Sequence, residues 1–197
     1  MNLKKDDLAK LVNELSLSAD VKLTDIPDID LYMEQLTSLI DSKLSGHKRG
    51  RGDKILTKTM INNYTKAGLL MPPVNKKYNK DHIILLVLIY YLKNTLSIND
   101  IGKLLSPVLN NIASRDDDII SLEDIYSTFL ELISSELDNF SLSLMEKFDL
   151  VKRKTEKVRE KQDIAGLFLI VLMLVAQSNA QKRVAEKIID TYFSDNG

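Results

Sequence analysis

The chain has 197 residues, 44% of them hydrophobic and 28% charged. That balance points to one large or two small domains with a true core and excludes wholesale disorder. There is no cysteine, which excludes a disulfide framework, a thiolate metal site and a thiol nucleophile, and fits a reducing cytoplasmic setting.

The formal net charge of −1 conceals a strong segregation. Residues 45–80 hold Lys48, Arg49, Arg51, Lys54, Lys58, Lys66, Lys76, Lys77 and Lys80 against one acid, Asp53, so this segment carries +8 and the remainder −9. A basic island on an acidic body is the electrostatic footprint of a polyanion-binding surface, although a merely solvated loop carries the same charge.

In chain order, a polar start with no secretory signal leads into a first helix over Asp6–Leu15, with Leu8, Leu11, Val12 and Leu15 on one face. Residues 17–27 read as a linker. A second helix, Ile29–Leu44, turns Tyr32, Leu36, Leu39, Ile40 and Leu44 inward. The stretch Ser45–Asp53 holds three glycines, each costing about 1 kcal/mol in a helix, so it is expected as an exposed basic loop. Thr57 is the expected N-cap of a short helix that ends at Ala67, with Gly68 stopping it. Pro72-Pro73 imposes an extended path.

Asn79 is expected to cap the next helix, whose body Ile83–Leu92 is apolar nearly all round and therefore central. Ser97–Asp100 has capping-box spacing for a helix through Leu105, ended by Ser106-Pro107. A polar linker, residues 110–118, follows. Ser121–Asp124 starts a further helix by the same logic, with apolar residues recurring every three or four positions to Val151. A buried helix over Asp163–Ala176 and an amphipathic one over Ala180–Phe193 complete a C-terminal bundle. The apolar runs 83–92 and 164–176 fall short of the roughly 20 residues that span a bilayer, so no membrane segment is expected.

The block Thr57-Lys-Thr-Met-Ile-Asn-Asn-Tyr-Thr-Lys-Ala-Gly-Leu-Leu-Met-Pro-Pro73, with Lys76, Tyr78 and Ser97-Ile-Asn-Asp-Ile101 to Leu104-Leu105, resembles the recognition helix, wing and following helices of MerR-type winged helix-turn-helix regulators. The resemblance covers residues 55–105. Tyr64, Gly68, Leu69, Leu70 and Pro72 match that pattern, and Lys76 stands for its wing arginine. Three features depart from it: Asn62-Asn63 replace an Arg-Tyr pair, the wing is several residues shorter, and a long basic loop joins the first helix to the second. From Ile26 through Tyr90-Tyr91 the chain is also similar to an uncharacterised bacterial family, domain-of-unknown-function family 1836.

A recognition helix needs short polar side chains that reach base edges. Thr59, Asn62, Asn63 and Lys66 sit within two turns, and Asn bonds adenine bidentately. Lys58, Lys66, Lys76 and Lys77 would neutralise phosphates, Arg49 and Arg51 would track a backbone or enter a minor groove, and the resemblance adds Tyr64 and Tyr78 to the site.

His47 and His82, the only histidines, lack partners at metal-ligand spacing, and no phosphate loop or nucleophile elbow occurs. Neither enzymatic activity nor a metal or other cofactor is therefore expected. The expectation is an all-α protein with a winged-helix domain over residues 1–108 and a helical bundle over 109–197. Its expected role is a transcriptional regulator that binds double-stranded DNA as a homodimer through the C-terminal helices, with room for a small-molecule effector. The alternative is an adaptor that uses the same fold to grip an acidic protein.

Overall fold

The structure, a computed structural model, describes residues 5–15, 21–50, 52–114, 121–155 and 162–193. It is all-α. Seven helices, α1 (Lys5–Glu14), α2 (Met33–Lys43), α3 (Lys58–Lys66), α4 (Lys80–Leu92), α5 (Ile98–Ser114), α6 (Leu122–Thr155) and α7 (Gln162–Tyr192), are joined by two two-residue strands, β1 (Leu31–Tyr32) and β2 (Lys77–Tyr78). The chain divides into two compact units, one of Ala19–Glu131 with Ala185–Gly197, the other of Met1–Ser18 with Leu132–Val184. The boundary expected at 108/109 falls inside α5, which lies wholly within the first of these units.

The first unit is built around α4. Ile83, Ile84, Leu85, Leu86, Val87 and Ile89 are all fully buried, as an all-round apolar pattern demands. At about 1.5–3 kcal/mol per large buried side chain, this helix is the main source of cohesion in the unit. It packs among Leu36 and Ile40 of α2, Ile61 of α3, Ile101 and Leu105 of α5, Leu122 and Tyr126 of α6 and Ile189 of α7, which share one cluster.

Local signals set the helix ends. Thr57 Oγ1 accepts from Met60 N at 3.2 Å. Asn79 Oδ1 accepts from His82 N, and His82 Nδ1 accepts in return from Asn79 N, both at 3.2 Å. Ser97 and Ser121 accept from Asp100 N and Asp124 N, each at 3.1 Å.

Four expectations are corrected. Residues 21–27 are no free linker: Val21 and Ile26 are buried, and the Tyr126 hydroxyl donates to the Val21 carbonyl at 2.5 Å. The second helix starts only at Met33, because Leu31 and Tyr32 pair antiparallel with Tyr78 and Lys77. Pro107 does not end α5. Its missing N–H would orphan the Lys103 carbonyl one turn back, and the Ser106 hydroxyl donates to that carbonyl at 3.0 Å, so the helix runs on to Ser114. The helices expected over 163–176 and 180–193 are one helix, and the first stretch is not buried.

In the second unit Leu144, Phe148 and Val151 of α6 pack with Leu8 of α1 and Ile170 of α7. The opposite side of α7, including Ile164, Phe168, Val171 and Val175, faces outward. Periodicity revealed an all-round apolar helix but not how many neighbours would cover it. By length and composition, α7 is the one helix among the described residues apolar enough to cross a membrane, with a mean hydropathy of 1.7 over an 18-residue window within Ile164–Tyr192.

Candidate nucleic-acid interface

The candidate interface lies on the first unit and starts from α3. Ile61 and Tyr64 face the core, which leaves Lys58, Thr59, Asn62, Asn63 and Lys66 exposed along one outer stripe at positions i, i+1, i+4, i+5 and i+8. No acid occurs on this helix.

Its C-terminus is closed by Gly68 at φ +72°, with Leu69 N donating to the Tyr64 carbonyl at 2.9 Å and Gly68 N to Thr65 at 3.1 Å. This is a Schellman motif, and it requires the left-handed residue that glycine supplies. The chain then turns sharply, burying Leu69 and Leu70.

A hairpin follows. Val74 and Lys77 exchange backbone hydrogen bonds at 3.1 and 2.9 Å, and the two residues between them, Asn75 and Lys76, have φ of +52° and +63°. Two consecutive positive φ values mark a type I′ turn, the tightest way to reverse a twisted strand pair. Asparagine tolerates that region, whereas lysine is strained in it. Lys76 is thus held at the tip of the turn, exposed.

Two side chains at the start of α2 link α3 to this hairpin. Glu34 forms an ion pair with Lys58, and the Lys77 ammonium lies 5.3 Å from the centre of the Tyr32 ring. The helix stripe and the turn therefore flank the same end of α2. Lys58 lowers the Glu34 pKa by hydrogen bond and charge.

The basic loop is ordered from within. Asp53 accepts from the backbone N–H groups of Arg49 and Gly50 at 3.0 Å each, and Lys48 pairs with Asp41 at 2.7 Å. Lys93 anchors the loop's far end, donating to the Ile55 carbonyl at 2.6 Å with its ammonium 5.0 Å from the Tyr90 ring centre. Burial lowers its pKa. An open crevice of about 500 Å³ between loop and α2 is lined by Asp41 and Asp53 as well as Lys48 and Lys54, so its charges balance and it draws no anion.

The expected site residues thus divide. Lys58, Thr59, Asn62, Asn63 and Lys66 share the outer stripe of α3, Lys76 is exposed at the hairpin tip, Lys77 is partly covered, and Arg49 is exposed on the loop. Tyr64 and Tyr78 are core residues, buried with their hydroxyl pKa raised by desolvation. Arg51 lies outside the described residues. Among the described residues Arg49, Lys54, Lys66 and Lys76 make no ion pair, whereas Lys80 is tied to Glu123 at 2.6 Å. Sequence reasoning named Lys54 only as part of the basic island and passed over Asn75. The signal for Asn75 was present, since Asn before Lys between Val and Lys is a turn pattern.

Beneath the hairpin His82 is buried, its ring edge-on to Tyr78 at 5.4 Å. Its Nε2 is buried without a hydrogen-bond partner, and burial lowers its pKa.

Neither the curated proteins nor the solved structures contain a match to this chain. One family model, described as "Domain of unknown function (DUF1836)", matches residues 21–129, nearly the whole continuous part of the first unit and more than half of the chain. The protein therefore belongs to the DUF1836 family.

Proposed function

We propose that this protein is a sequence-dependent DNA-binding transcriptional regulator, with α3 as a recognition helix and the hairpin at 74–77 as a short MerR-like wing. The observation that carries the reading is the outer stripe of α3. Two asparagines and a threonine stand in one exposed row between two lysines, with no acid on the helix. That composition suits a major groove: amide groups to read adenine edges, Lys66 free at one end for a phosphate, and Lys58 at the other, which would exchange its exposed Glu34 partner for one. The hairpin tip adds a cation beyond the helix, where the neighbouring backbone would run.

The order of elements supports a winged-helix assignment. A first helix, a recognition helix closed by a left-handed glycine, a hairpin whose second strand pairs with the segment before the first helix, and a capped core helix follow one another. The homodimer belongs to this proposal because one recognition helix reads too few bases for useful specificity, and paired half-sites solve that.

The test is fluorescence anisotropy with random and genomic duplexes at two salt concentrations. Four to five phosphate contacts give a log–log salt slope of about −4. Asn62→Ala/Lys66→Ala should weaken binding by about 1–3 kcal/mol and flatten the preference among genomic fragments. Absence of binding at low salt would overturn the reading and direct the search to an acidic protein gripped by the same face.

A further inference from the structure

The second unit is short of core. Among its described residues only Leu8, Leu144, Phe148, Val151 and Ile170 form its buried apolar cluster, far fewer than a unit of its length needs to hold itself together. Yet its most apolar segment is not used up. From Ile164 to Gln181 no charged residue occurs. One side of this stretch, at Leu167, Ile170 and Leu174, packs inward. On the other side Ile164, Phe168, Leu169, Val171, Leu172 and Val175 are between 38% and 66% exposed.

These six side chains leave roughly 600 Å² of apolar surface open on one helix, taking about 150–250 Å² for a fully exposed large side chain. A monomer's largest patch is about 300–600 Å², whereas a stable interface buries about 800 Å² per partner. The exposed area is therefore at the upper end for a monomer and about three quarters of what each partner of a standard interface buries.

The spacing identifies the occupant. Ile164, Phe168, Val171 and Val175 follow one another at steps of four, three and four, the repeat that lets one helix seat its side chains between those of another. The repeat ends where Ser178 and Lys182 take the next two positions. The row is also symmetric about the point between Leu169 and Ile170. Two copies run antiparallel across a two-fold axis there would place Ile164 against Val175 of the other copy and Phe168 against Val171, large against small at each layer. The stretch carries no charge, so no charge pattern selects a different protein as its partner.

We infer that α7 pairs antiparallel with α7 of a second copy through Ile164, Phe168, Val171 and Val175, and that this pairing completes the core of the second unit. The inference rests on the DNA-binding reading only for the purpose of the dimer. Its test is made without DNA, so the two fail independently.

Analytical ultracentrifugation of the full chain should show a dimer at micromolar concentration. Phe168→Glu/Val171→Glu should raise the dimer dissociation constant more than a hundredfold while leaving the helical circular dichroism in place, since both side chains point outward. Because the chain has no cysteine, orientation can be read cleanly by oxidation. Ile164→Cys and Val175→Cys chains should cross-link when mixed, and neither alone. A monomer at tens of micromolar, an unchanged dimer in the double variant, or cross-linking of Ile164→Cys with itself would each overturn the inference. So would a monomeric chain that co-sediments with anionic phospholipid vesicles, which would assign the exposed face to a membrane.

Discussion

Lys76→Gly separates two roles that most substitutions at a binding surface confound. Lys76 has φ +63° and stands at the exposed tip of the hairpin. A residue with a Cβ costs about 1–2 kcal/mol in the left-handed region. Glycine occupies that region freely but loses about 0.5–1 kcal/mol more backbone entropy on folding. The balance favours the variant by about 0.5–1 kcal/mol, a rise of about 1–4 °C in Tm for a protein of this size. The same change removes one cation from the proposed interface, which should weaken DNA binding and reduce the log–log salt slope by about 0.9. The assays are thermal unfolding followed by circular dichroism and anisotropy titrations at several salt concentrations. Lys76→Asn removes the same charge and keeps a residue that tolerates the turn, so it should match the binding loss with a smaller gain in Tm. If the glycine variant is no more stable than the parent, the strain argument is refuted. If it is stabilised but binds with an unchanged salt slope, Lys76 does not meet a phosphate.

Gly68→Ala forces a Cβ into φ +72° at the end of α3; chemical denaturation should register a loss of about 1–2 kcal/mol, even though open space surrounds the position. Tyr126→Phe removes the buried bond to the Val21 carbonyl and leaves that acceptor unsatisfied, so a loss of about 1–3 kcal/mol is expected in the same assay. Burial lowers the pKa of His82, whose Nδ1 accepts from Asn79 N. A group whose folded pKa is depressed stabilises the protein above its unfolded value, about 6.5, and that stability is lost as pH falls from there through the folded pKa. Urea midpoints should therefore drop as pH falls below about 6.5, ahead of the loss from the salt-bridged carboxylates Asp25 and Glu34, whose pKa values are lowered below the usual carboxylate range. His82→Gln should flatten that part of the profile, and an unchanged slope would remove His82 as its cause.

Short-range chemistry was readable wherever its partners lie within one helical turn. Thr57, Asn79, Ser97 and Ser121 each close a cap with a residue three positions on, so spacing alone identified them. Gly68 was legible because few residues other than glycine reach its backbone angles cheaply. The outer stripe of α3 followed once Ile61 was known to be apolar, since a nine-residue helix has only one opposite face. That Tyr64 and Tyr78 are buried in the core was not legible, for the converse reason. An aromatic ring with a hydroxyl suits either a core or a phosphate, and the choice depends on which side of the element meets α4.

Composition and local order thus determined an all-α chain, its capped helices, the glycine stop and the concentration of positive charge over residues 45–80. Tertiary structure decided that Lys58 and Lys80 are neutralised, because Glu34 and Glu123 lie 24 and 43 residues away from them in the chain. It also decided that α5 passes through Pro107, that residues 21–26 help to close a core, and that α7 keeps an apolar face to the outside. Each of these depends on how many neighbours an element acquires, and the period of a helix records which faces are apolar without recording what covers them.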